Sequence, residues 1–119
     1  MERSDAITAL AALAQESRLD IFRLLVQAGA DGLPAGRIGE RLGLPSATLS
    51  FHLNQLKQAG LVTFRRDGRS LIYAAEYAAM NGLLAYLTEN CCQGDATGCG
   101  VGVRDSSALV KPDEGSARQ

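Results

Sequence analysis

Leu61-Val-Thr-Phe-Arg-Arg-Asp-Gly-Arg-Ser-Leu-Ile-Tyr-Ala74 is the stretch that decides the fold. Two β-prone runs flank Asp67-Gly68, and a two-residue Asp-Gly loop between such runs signals a hairpin, because both central residues tolerate positive φ. Alternation puts Val62 and Phe64 on one face, which Leu71 and Tyr73 can share. Arg65, Arg66 and Arg69 crowd the tip. Upstream, Pro45-Ser46 opens a helix whose inner stripe is Leu49, Leu53 and Leu56 and whose stop is Gly60. A shorter helix, from near Pro34 to Gly43 with Ile38 and Leu42 inward, ends just before it. Two helices so closely joined make a helix-turn-helix. Followed by a basic-tipped hairpin, they spell a winged helix.

The flanks complete the order. Ser4 can cap a helix through Ala14 with Ile7, Leu10, Ala11 and Ala14 at helical spacing. Ser17 and Asp20 read as a capping box for a second helix carrying Leu19, Ile21, Phe22, Leu25 and Val26, stopped by Gly29. Asp31-Gly32 is turn chemistry. Ala78 to about Asn90 is helical again, with Met80, Leu83, Leu84 and Leu87. From Gly94 onward glycines and scattered polar residues give a flexible tail. The expectation is mainly α with a β-hairpin, a winged helix-turn-helix of order α-α-α-α-β-β-α. Residues 1–92 would form the DNA-binding and dimerisation domain, and 93–119 the tail.

Composition narrows the class. With 119 residues there is room for one modest core, so dimerisation is an expected way to enlarge it. No apolar run approaches the roughly 20 residues of a membrane span, so no membrane partner is expected. The charged start, Met1-Glu2-Arg3-Ser4-Asp5, lacks a cleavage signature and points to the cytoplasm. Net charge is −1, yet residues 37–73 hold six Lys/Arg against two acids, and the rest of the chain is acidic. A basic middle on an acidic chain is what a local phosphate-contacting face requires.

On the fourth helix the face opposite the leucines shows Ser46, Ala47, Thr48, Ser50, Phe51, Asn54 and Gln55. Short hydroxyl and apolar side chains near a helix N-terminus allow close approach to base edges, and Thr48, Ser50 and Phe51 can meet thymine methyls or base acceptors. An isolated helix with such a face would be read as merely solvated. The adjoining hairpin favours double-stranded DNA, with Arg65, Arg66 and Arg69 as phosphate or minor-groove contacts. His52, the one histidine, is a poor metal ligand without a cluster, which leaves a structural or DNA-facing role. No histidine pairs with a cysteine nucleophile, so the chain is not read as an enzyme.

Cys91 and Cys92 fall where the last helix ends, and Cys99 follows a glycine-bearing loop. An odd number of cysteines in a cytosolic chain reads as thiols rather than a disulfide framework. Adjacent helical residues diverge by about 100°, so the pair converges only where the helix frays. Gly94 and Gly98 then let Cys99 return. Zinc wants four ligands, and Asp95 is the only near substitute for a fourth. Soft thiolates select soft acceptors, and trivalent arsenic or antimony is satisfied by three. Cadmium, lead or zinc, reversible disulfide chemistry, and incidental thiols are the alternatives. A vicinal pair alone suffices for methylarsenite.

These segments also resemble a known family. Ser17-Arg-Leu-Asp-Ile-Phe-Arg-Leu-Leu25, Ile38-Gly-Glu-Arg-Leu-Gly-Leu44, Ala47-Thr-Leu-Ser-Phe-His-Leu53, Leu56-Lys-Gln-Ala-Gly-Leu-Val62 and the arginine-rich wing are similar to the ArsR/SmtB metal-sensing repressors, over about residues 5–92. The resemblance implies a homodimer built from the first and last helices, here around Ile7, Leu10, Leu83, Leu84 and Leu87. It also implies operator binding without ligand and release with it. Prototype arsenic sensors carry cysteines in the helix before the recognition helix, and Arg37-Ile-Gly-Glu-Arg-Leu42 has none. The zinc branch uses histidine on the last helix, absent here. The chain instead resembles the subgroup with a vicinal cysteine pair plus a third cysteine, responsive to trivalent arsenic and antimony and sometimes to methylarsenite.

Overall fold

The computed structural model describes residues 1–94. Met1–Tyr86 form one compact unit, and the chain from Leu87 onward belongs to a second. The elements are α1 (Arg3–Leu13), α2 (Glu16–Ala28), β1 (Leu33–Pro34), α3 (Ala35–Leu42), α4 (Ser46–Gln58), β2 (Val62–Asp67), β3 (Ser70–Ala75) and α5 (Tyr77–Leu87), then a 3₁₀ turn at Cys91–Gly94. This is the winged helix-turn-helix expected from the sequence, with one added strand.

The helix starts differ from the sequence reading. In α1 the Asp5 carboxylate accepts from the Glu2 amide at 3.1 Å, so the cap falls at Glu2 rather than Ser4. The buried stripe is Ala6, Ala9 and Ala12, which turns Ile7 and Leu10 outward. Small alanines let α1 lie close to its neighbours, and the larger side chains are left for another surface. In α2 the Gln15 side chain accepts from the Arg18 amide at 2.8 Å. The helix begins at Glu16, so Ser17 lies inside the first turn and cannot cap.

The joint between α3 and α4 has a chemical cause. Gly43 takes the left-handed conformation (φ 67°, ψ 34°), and the Leu44 amide reaches back to the Gly39 carbonyl at 3.0 Å. That pairing closes α3 as a Schellman motif, which glycine adopts without a Cβ penalty. Pro45, extended at φ −61° and ψ 152°, then starts α4. Leu49, Leu53 and Leu56 point into the core as the spacing required, where Ile21, Leu25, Ile38 and Leu61 are also wholly buried. Each such side chain contributes about 1.5–3 kcal/mol by leaving water. Tyr77 ties α5 to α2 by donating its hydroxyl proton to the Val26 carbonyl at 2.8 Å.

The sheet is antiparallel, in order β1-β3-β2. Phe64 faces Tyr73 and Val62 faces Ala75, the face-sharing the alternation implied. The turn is displaced by one residue. Asp67 pairs with Ser70, so the connecting residues are Gly68 and Arg69, and of these Gly68 alone has positive φ (63°). One positive φ at the first central position is the type II′ pattern, which leaves Asp67 in extended backbone. β1 was not anticipated, because two residues carry no periodicity. It pairs Leu33 with Tyr73, and its proline is tolerable on an edge strand. Gly32 (φ 73°) makes the approach possible, since a Cβ there would lie 2.3 Å from the Tyr73 carbonyl oxygen.

Candidate nucleic-acid interface

On α4, Ser46, Ala47, Thr48, Ser50, Phe51 and Asn54 are exposed, while Gln55 is half-buried. Phe51 keeps 57% of its surface in solvent. His52 does not share that face. It is only 8% exposed and packs on the inner side with Leu49, Leu53 and Leu56, so of the two roles open to it the structure gives the structural one. Its Nδ1 lies 3.2 Å from an Arg18 terminal guanidinium nitrogen. A guanidinium only donates, so Nδ1 accepts and the ring proton sits on Nε2. The same Arg18 donates through Nε to the Ala12 carbonyl at 2.7 Å. One arginine therefore links the end of α1 to α4. Burial, and secondly the Arg18 charge, hold the His52 pKa below its ordinary value.

Arg65, Arg66 and Arg69 are all exposed on the wing. They are not equivalent. Arg65 donates to the Asp31 carbonyl at 3.2 Å and so braces the wing on the loop before β1. Two contacts escaped the sequence reading. Lys57, at the end of α4, sets its ammonium 4.7 Å from the centre of the Phe64 ring on β2, and Phe64 in turn lies 5.7 Å from the Tyr73 ring. A cation over an aromatic face is attractive by about 0.5–1 kcal/mol at an exposed site. The signal available was Phe64 itself, an apolar residue in a basic strand with a lysine on the preceding helix.

The dimer candidates separate. Ile7 and Leu10 on α1 and Leu84 and Leu87 on α5 are exposed. Leu83 is not: it is 7% exposed and part of the protomer core, so it is unavailable for a second copy as the structure stands. Its neighbour Leu84 takes the outward position because successive helical side chains point about 100° apart.

Cys91 and Cys92 hold their sulfurs 3.6 Å apart. Asn90 (φ 57°) and Cys92 (φ 56°) both adopt the left-handed region, and the Cys91 amide donates to the Thr88 carbonyl at 2.9 Å. The chain thus leaves helical geometry there, and the two sulfurs converge as adjacent residues in a helix would not. Cys92 is exposed and Cys91 half-buried. Cys99 lies outside the described residues. Among the described residues no group of three or more His, Cys, Asp or Glu side chains is arranged to hold a metal ion, and no helix is long and apolar enough to cross a membrane.

Known proteins fit this geometry. A helix-turn-helix domain family matches residues 13–64. The transcriptional activator HlyU of Vibrio cholerae is 30% identical over 95 residues, covering 78% of this chain and 85% of its own. An uncharacterised HTH-type transcriptional regulator of Bacillus subtilis, YceK, is 41% identical over 59 residues, half of this chain and 58% of that protein. Among solved structures, an ArsR-like transcriptional regulator from Rhodococcus sp. RHA1 superposes with a TM-score of 0.63 at 30% identity, over 73% of this chain and 78% of its own. All three are regulators rather than enzymes.

Proposed function

This chain belongs to the ArsR-like winged-helix transcriptional regulators, and we propose that it is a dimeric repressor displaced from operator DNA when trivalent arsenic or antimony binds its cysteines. The observation that carries the ligand is the 3.6 Å separation of the Cys91 and Cys92 sulfurs. Two bonds of about 2.3 Å to a shared atom span the 3.6 Å between the sulfurs at an angle of about 100°, which suits a pyramidal centre, so one soft atom can take both without rebuilding the turn. Cys99 supplies the third thiolate of a pyramidal site. Methylarsenite, with two exchangeable positions, needs only the vicinal pair.

DNA is bound through the exposed face of α4 in the major groove and through Arg66 and Arg69 on the phosphates. The second copy is recruited through exposed Ile7, Leu10, Leu84 and Leu87, which a monomer leaves in water. Capture of the ligand joins the segment carrying Cys99 to the residues that follow α5, a helix of the dimer face. The two DNA-binding units then meet the duplex at a changed spacing. A coupling of about 1–3 kcal/mol gives a five- to 150-fold loss of affinity.

The test is fluorescence anisotropy of the reduced protein on its own upstream DNA, titrated with arsenite. Wild type is expected to dissociate, and Cys91→Ser, Cys92→Ser and Cys99→Ser to stay bound. Resistance of Cys91→Ser and Cys92→Ser alone assigns a methylarsenite-type site. Release by peroxide and not by arsenite overturns the metalloid reading in favour of a vicinal-thiol redox sensor.

A further inference from the structure

Between Ser46 and Asn54 the outer face of α4 carries no charged side chain. The nearest cation on the helix, Lys57, is engaged over the Phe64 ring, and Arg18 is turned inward to Ala12 and His52. This absence has a chemical meaning in a major groove. Guanine presents two acceptors that arginine or lysine reads, and cytosine a donor that a carboxylate reads. The exposed face offers neither charged partner, and its hydroxyls at Ser46, Thr48 and Ser50 can serve any base without choosing one. It offers one carboxamide, Asn54, suited to the acceptor–donor pair of adenine, and apolar surface suited to the thymine methyl group. Phe51 supplies most of that surface. Its ring meets His52 edge-on at 5.5 Å and 63°, so a buried side chain braces an exposed one.

Phe51 and Asn54 stand three residues apart, which puts them on one side of the helix about 4.5 Å apart along its axis. A base-pair step is about 3.4 Å. We propose that α4 reads adjacent A·T base pairs, Phe51 lying against a thymine 5-methyl group and Asn54 bonding bidentately to an adenine. Specificity therefore comes from a methyl group and an amide rather than from a cation, and the wing arginines add affinity without choosing sequence. The assignment rests on the DNA-binding reading above and is independent of the cysteines.

The experiment uses the full chain. Duplexes are enriched from a randomised pool, and the winning duplex is remade with deoxyuridine replacing thymine at one position at a time, which removes only the methyl group. Affinities are read by anisotropy for wild type, Phe51→Ala, Phe51→Leu and Asn54→Ala. The proposal expects one thymine per half-site whose loss of methyl weakens wild-type binding about fourfold, the worth of one buried carbon. Phe51→Ala is expected to be blind to that change and Phe51→Leu to retain it. Asn54→Ala is expected to lose a five- to 150-fold preference for adenine at the next pair. Guanine–cytosine pairs enriched under α4, or equal methyl sensitivity in wild type and Phe51→Ala, overturn it. Failure to enrich any duplex overturns the DNA-binding premise, and this proposal with it.

Discussion

His52 shows how one side chain can sit on the second helix of a helix-turn-helix without sharing its exposed face. It is flanked in sequence by exposed Phe51 and buried Leu53, and its own burial puts it with the leucines. Spacing placed Leu49, Leu53 and Leu56 inward correctly, because apolar residues at three- and four-residue intervals leave little choice of phase. A lone histidine at the margin of that stripe is compatible with either side, and only its partner Arg18, 34 positions away in sequence, settles the matter. The pair has a pH signature. Because burial and the Arg18 charge depress the His52 pKa, the folded protein holds this proton less tightly than the unfolded chain does. The stability is present above the unfolded value near 6.5 and is lost as pH falls below it toward the folded pKa. Thermal melts at pH 7.5 and 5.5 are expected to show a larger drop for wild type than for His52→Gln, which keeps an acceptor for Arg18 but cannot titrate. Equal drops would remove His52 from the explanation.

At the scale of elements, helix-turn-helix and hairpin were legible because each is written in local chemistry: Gly43 and Gly60 close the two helices, and Gly68 turns the strands. What the local code lacked was β1 and the true stripe of α1. A two-residue strand exists only through its partner β3, and the alanine face of α1 is silent in a reading that seeks large apolar residues. The wing makes the same point about its arginines. All three are exposed, but Arg65 donates to the Asp31 carbonyl, whereas none of the described hydrogen bonds or ion pairs involves Arg66 or Arg69. Removing Arg66 or Arg69 is expected to weaken binding to all sequences alike and to lower the slope of log K against log salt by about one each. Arg65→Ala is expected to change the slope less. Salt titrations of the three alanine variants on one duplex check this, and three equal slopes would refute the distinction.

For the whole molecule the division between Leu83 and Leu84 matters most. The sequence offered both as dimer contacts, since neighbouring leucines in a helix cannot be ranked without knowing which way the helix faces. The structure buries one and exposes the other. Leu83→Ala is expected to lower protomer stability by about 2–5 kcal/mol through the cavity it leaves. Leu84→Glu is expected to leave secondary structure and the protomer core intact while dissociating the dimer, because it places a charge in an apolar contact. Sedimentation velocity alongside thermal melts separates the two, and a dimeric Leu84→Glu would exclude that position from the interface. Cys91 and Cys92 were legible in the sequence as neighbouring thiols, and the turn at Asn90–Cys92 brings their sulfurs together, which spacing alone left open.

The Lys57–Phe64 contact has a consequence of its own. It links the end of α4 to the first strand of the wing, and on the proposed reading a duplex meets the two together, as the jaws of one calliper. A calliper gauges width before it inspects marks. On that reading A-form RNA, whose major groove is too narrow and deep to admit side chains, is expected to fail the gauge whatever its base sequence.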